Sequence, residues 1–169
     1  MAEFHVRHEF DCAEDTFWEK VMFDPDFNRR LYKEELKFPD WKVLEQKDDG
    51  KTIRRKVHID PPVTGLPGPV KKAVGDKFSY VEDGVYDRAT RTYTFHVTPS
   101  TMAEKSKTSG TLKTEKLGDK KCARVADIKV DVKVFMIGGM VEDWIIGDLK
   151  SSYEAAAKFT RTYLQEKGL

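Results

Sequence analysis

The chain has 169 residues, 39% of them hydrophobic and 35% charged, and a single domain over 1–169 is the economical reading, able to bury roughly two-thirds of the unfolded chain's surface. Thirty basic against twenty-nine acidic side chains leave a formal charge of +1, which excludes the global field of a dedicated nucleic-acid binder. Two cysteines, Cys12 and Cys122, are too few for a disulfide scaffold, and no apolar run approaches the ~18 residues of a spanning helix; the chain reads as soluble, reduced and cytoplasmic.

The first element, FHVRHEF, alternates and puts Phe4, Val6, His8 and Phe10 on one face of a strand. Two short helices follow. Asp11 with Glu14 resembles a capping box, Asp24-Pro25 supplies an N-cap followed by proline at N1, and Phe17, Val21, Phe27 and Leu31 face inward. From Trp41 to Thr98 the pattern turns to strands: WKVLEQ and TIRRKVHI flank the hairpin signal Asp49-Gly50, and KFSYVEDGVYD and RTYTFHVTP follow an interruption. SGTLKTEKL and CARVADIKVDVKVF then flank a turn at Gly118-Asp119. In the last strand Ile128, Val130, Val132 and Val134 alternate with Lys129, Asp131 and Lys133, as in a sheet with one wet and one buried face.

After Gly138-Gly139 the period changes from 2 to 3.6. Val141, Ile145, Leu149, Ser152, Ala156, Phe159 and Tyr163 follow one stripe, predicting a helix over Met140–Lys167, about 40 Å long, with Gly168 as its C-cap. The order of strand, two helices, about six antiparallel strands and one long helix resembles the START-like superfamily. This is the helix-grip fold shared with birch-pollen-allergen-like proteins and polyketide cyclases. HEFDCAEDTFWEKVMFDPDFNRRL is similar to that superfamily's opening strand and helix pair. GLPGPVKKAVG and VFMIGGMVEDWIIGDLKSSYEAAAKFTRTYL resemble an uncharacterised bacterial START-like family and, more distantly, the PRELI lipid-transfer domains. The resemblance implies an α+β fold in which a curved antiparallel sheet of about seven strands wraps around a long C-terminal helix, with two short helices after the first strand.

In such a fold a cavity remains between sheet and helix. Val141, Ile145, Leu149, Ser152 and Ala156 are expected to face Tyr93, Phe95, Ile128, Val130 and Val132 across it. The interruption PPVTGLPGPVKKAVG, with four prolines and three glycines between Ile59 and Tyr80, lies where such folds place a lid. Leu66 and Val70 would belong to its apolar face. Lys71 and Lys72, with Leu66, would meet a membrane surface, or the segment 61–75 is a structural cap over one end of the core.

Catalytic signatures are absent: there is no G-x-S-x-G, Walker A, G-x-G-x-x-G or H-E-x-x-H, and the four histidines fall at no metal-ligand spacing, so no catalytic residue, metal or cofactor is expected. His8 and Arg55 break the apolar pattern, since both share the parity of inward residues. A buried arginine needs an anionic partner, either a ligand phosphate or carboxylate or an internal acidic residue. The reading is therefore a non-enzymatic protein that binds, and transfers, a lipid or other hydrophobic small molecule, with transient membrane contact and no nucleic acid. The alternatives are a cyclase- or hydrolase-like enzyme using His8, Tyr93 and Arg55 on a polyketide or aromatic substrate, and a protein-binding module.

Overall fold

The computed structural model describes all 169 residues, Met1–Leu169. Seven strands, β1 (Ala2–Phe10), β2 (Asp40–Asp48), β3 (Thr52–Asp60), β4 (Tyr80–Asp87), β5 (Thr92–Pro99), β6 (Ser106–Gly118) and β7 (Lys121–Val132), form one antiparallel sheet in the order β1-β7-β6-β5-β4-β3-β2. α1 (Glu14–Phe17) and α2 (Pro25–Arg29) each run on into a wider π-helical turn, Trp18–Met22 and Arg30–Glu35, and α3 (Gly68–Val74) sits in the β3–β4 connection. α4 (Gly138–Lys167) lies in the grip of the sheet and ends on Gly168, whose φ of 66° is the left-handed cap expected there. The fold is the helix-grip arrangement that the chain pattern predicts.

Local chemistry explains most of the boundaries. Asp24 caps α2 through a 2.9 Å bond from the Phe27 amide, with Pro25 at N1. The Asp49 carboxylate accepts the amides of Lys51 and Thr52 and closes the β2–β3 hairpin. The expected Asp11 capping box does not form: Ala13 precedes α1 without a side-chain cap, and Glu14 instead accepts the Thr114 hydroxyl at 2.6 Å. The β6–β7 turn is Asp119-Lys120, one residue beyond the expected position.

One row of cross-strand partners sets the shape of the inner face. Phe4, Ile128, Gly110, Phe95, Gly84 and Arg55 lie side by side across six strands. Gly84 and Gly110 each lie under an aromatic ring, because a Cβ at either position would fall 2.1 Å from the Tyr93 ring or 2.8 Å from that of Phe95. Rings therefore lie flat along the sheet where side chains would otherwise stand up from it. The apolar core gathers the inward faces of α1, α2 and α4 with this row, and Cys12 and Cys122 are free thiols buried within it.

Candidate functional site

Between sheet and α4 lies a cavity of about 220 Å³ lined by 31 residues, 20 of them hydrophobic, a space whose shape and lining suit an apolar body. α1 and α2 with their π-helical turns supply Phe17, Val21, Met22, Phe27 and Leu31, and α4 supplies Trp144, Ile145, Leu149, Ser152, Tyr153 and Ala156. Pro61 and Phe78, at the two ends of the β3–β4 connection, belong to the wall as well. Ile145, Leu149 and Ser152, which continue the buried stripe of α4, are partly exposed and border this space.

Eight of the expected ligand-binding residues line the cavity: Arg55, Tyr93, Phe95, Ile128, Ile145, Leu149, Ser152 and Ala156. Six do not. Val132 and Val141 lie where the start of α4 meets the sheet: the Glu142 carboxylate accepts the Val132 amide at 2.9 Å and Gly138 packs on the Val132 carbonyl, and neither these two residues nor Val130 lines the cavity. Val70 is fully buried in the core beneath α3, and Leu66 is half-buried against the same core, while Lys71 and Lys72 are exposed. His8, the sixth, lies behind the wall.

At the polar end of the cavity Arg55 is 4% exposed. Its Nη1 donates to the Met22 carbonyl at 3.1 Å, a group left without a helical partner because the chain breaks before Pro25. Its guanidinium lies 5.0 Å from the ring of Phe23, 5.6 Å from that of Tyr93 and 5.8 Å from that of Trp41. No carboxylate forms an ion pair with it and its Nε has no partner, so the internal salt bridge considered from the sequence is not the arrangement found. Glu82 lies nearby and accepts the Tyr93 hydroxyl at 2.9 Å.

Arg124 is the second buried cation of the wall, 6% exposed, between the rings of Phe10 and Tyr153 at 5.4 and 4.9 Å. Its Nη2 donates to His8 Nδ1 at 2.9 Å, and its Nε has no partner. A guanidinium can only donate, so His8 Nδ1 must accept and the imidazole proton sits on Nε2, facing Glu154 Oε1 at 3.0 Å. Burial first, and then the Arg124 charge, hold the His8 pKa below its ordinary value, consistent with a neutral ring. His8 is thus a positioning residue for Arg124.

Glu82 and Arg124 escaped the sequence reading, although strand parity carried the signal. Glu82 alternates with Tyr80, Gly84 and Tyr86, and Arg124 with Cys122, Ala126 and Ile128, all on inner faces. A further cluster, Asp40, His58 and Asp60, forms at the β2–β3 edge because the register pairs Asp40 with Asp60. The ammonium groups of Lys33 and Lys42, 3.5 and 3.7 Å from Asp40, compensate its charge.

The Glu82 carboxyl is pushed above the usual glutamate range, chiefly by burial, while Arg55 and the Tyr93 hydrogen bond pull the other way. The folded protein therefore holds this proton more tightly than the unfolded chain does. Its stabilising contribution is complete below the unfolded value and is lost as pH rises through the folded one. Glu82→Gln should accordingly raise the melting temperature at neutral pH, with the gain vanishing below the ordinary glutamate range. Thermal unfolding across a pH series checks this, and a gain that persists at low pH would contradict it.

The model of the family described as a protein of unknown function, DUF2505, matches residues 5–164. No curated protein matches the sequence. Among solved structures, a START superfamily protein from Mycobacterium smegmatis is similar at 15% identity and a TM-score of 0.62, over 96% of this chain and 98% of that one. The Zhui aromatase/cyclase from Streptomyces sp. R1128 is similar at 13% identity and 0.63, over 93% of each chain. Norcoclaurine synthase from Thalictrum flavum, in complex with dopamine and hydroxybenzaldehyde, is similar at 17% identity and 0.61, over 94% of this chain and 86% of that one. At these identities the likeness shows the START-like fold.

Proposed function

This chain belongs to the DUF2505 family, and from that premise we propose that it is a non-catalytic carrier, binding a lipid or other hydrophobic small molecule in the cavity and passing it between membranes. The observation that carries this reading is the predominantly apolar wall between sheet and α4, closed at one end by the β3–β4 connection. α3 is the gate in this reading: Val70 and Val74 hold it on the core, at roughly 1.5–3 kcal/mol for each fully buried side chain, while Lys71 and Lys72 face outward. The register places the start of α4 and the β7–α4 loop at the same end of the sheet as α3. That loop holds Phe135 91% and Met136 84% exposed, an apolar tip suited to a bilayer surface. No helix is long and apolar enough to cross a membrane, so contact would be peripheral.

Exchange of a fluorescent fatty acid between anionic liposomes tests the reading. Ala156→Trp, which projects an indole into the cavity from α4, should weaken uptake at least about tenfold, ~1.4 kcal/mol, with native far-UV circular dichroism. Reversing Lys71 and Lys72 to Glu should slow exchange, and remove its salt dependence, while capacity is retained, since each lysine contributes about 1 kcal/mol of attraction near an anionic surface. Unchanged uptake by folded Ala156→Trp would exclude this cavity as the site. A lysine reversal without effect on rate would leave α3 as a structural cap.

One observation favours a second reading, an enzyme of the cyclase kind: the hydrogen-bonded Tyr93–Glu82 pair faces the cavity beside Arg55 and offers a carboxyl for proton transfer. Turnover of an aromatic polyketide that is lost in Glu82→Gln would favour it over the carrier.

A further inference from the structure

Within the carrier reading, on which this inference rests, we propose that the ligand is an amphipathic organic anion, its carboxylate or phosphate seated on the wall formed by Arg55 and Arg124. Both guanidinium groups line the cavity and both are more than nine-tenths buried. Neither forms an ion pair with a carboxylate, and each keeps a buried Nε without any hydrogen-bond partner. A buried cation in that state is strongly destabilising unless something supplies the missing charge. The aromatic faces around each group offset part of the cost and hold it flat, yet they cannot accept its in-plane N–H bonds. An oxyanion can do both.

The rest of the wall agrees. Tyr32 and Tyr153 carry phenols whose pKa burial pushes up, that of Tyr32 to about 12, so they stay neutral donors. The two carboxyl groups of the wall, Glu82 and Asp148, are both shifted above their ordinary range, chiefly by burial, which weakens their opposition to an incoming anion. Arg124 is moreover held from behind: the neutral His8 ring accepts its Nη2 and hands the contact on to Glu154, which is 62% exposed. Its Nη2 also donates to the Tyr153 carbonyl at 3.4 Å, which leaves Nε as the buried donor without a partner. The apolar body of the ligand would lie against Ile145, Leu149 and Ala156.

Lauric acid, lauryl phosphate and lauryl alcohol share one apolar chain and differ in the head group, so titration calorimetry with the three separates charge from burial. The wild-type protein should bind at least one of the two anions about tenfold or more tightly than the alcohol, and the preferred anion distinguishes carboxylate from phosphate. Arg55→Met and Arg124→Met should each erase most of that preference while leaving alcohol affinity within about twofold. Arg→Lys at either position should retain part of it. Equal affinity for acid, phosphate and alcohol in the wild-type protein would overturn the anion seat and leave hydrophobic binding standing, and this comparison needs no variant to fold. Failure of all three to bind would remove the carrier reading together with the seat.

Discussion

Trp18→Ala should cost about 3–5 kcal/mol of unfolding free energy, the range for deleting a buried aromatic side chain. Against the 5–15 kcal/mol that holds a domain together, this is a large fraction, and about 6–20 °C in melting temperature for a chain of this size. Trp18 is 2% exposed, stacks on Tyr86 at 4.2 Å and meets the edge of Phe17 at 5.4 Å. Its indole Nε1 donates to the Thr114 hydroxyl at 3.0 Å, and that hydroxyl donates in turn to Glu14. The ring thus ties the first helical segment to β6 and keeps the neighbouring Phe17, Val21 and Met22 at the cavity wall. Trp18→Phe should cost less, because it keeps most of the packing and loses only the indole bond. Urea titration of the two variants reads the difference, and a loss below about 2 kcal/mol for Trp18→Ala would mean the ring is not the anchor its burial implies.

The chain pattern carried the fold because periodicity is a property of single elements. The alternation Ile128, Val130, Val132 and the stripe from Val141 to Tyr163 each state their own buried face, and the sheet and α4 follow from them. The cavity depends on distances between elements, which no single element encodes. Val130 and Ile128 obey the same rule, yet Ile128 borders the cavity and Val130 does not, a difference set by where α4 packs directly on the end of β7, at Gly138 and Glu142. Parity alone also placed His8 and Arg55 inward without showing that His8 touches another arginine rather than a ligand. Arg124 was legible by that rule, as the odd polar residue among Cys122, Ala126 and Ile128, and its pairing with His8 follows only from the β1–β7 register, which sets the two opposite each other.

Gly84→Ala should be the most damaging single-methyl change in the cavity floor. Gly84 lies in β4 between Arg55 on β3 and Phe95 on β5, and an added Cβ would sit 2.1 Å from both Cζ and Oη of Tyr93. No rotamer change at the alanine relieves that overlap, since the Cβ position is set by the backbone. The Tyr93 ring must leave, and with it go the 2.9 Å bond to Glu82 and one of the faces that flank Arg55. Overpacking of this kind costs about 1–3 kcal/mol, and the displaced ring should also change ligand affinity. Gly147→Ala is the matched control: it lies exposed within α4 with open space around its Cβ position, where alanine is favoured over glycine by up to about 1 kcal/mol. The two alanines should therefore shift the melting temperature in opposite directions, with only Gly84→Ala altering the fluorescence of a bound fatty acid. Equal shifts, or a Gly84→Ala protein that binds as the wild type does, would show that the Tyr93 ring does not form the floor on which the ligand rests.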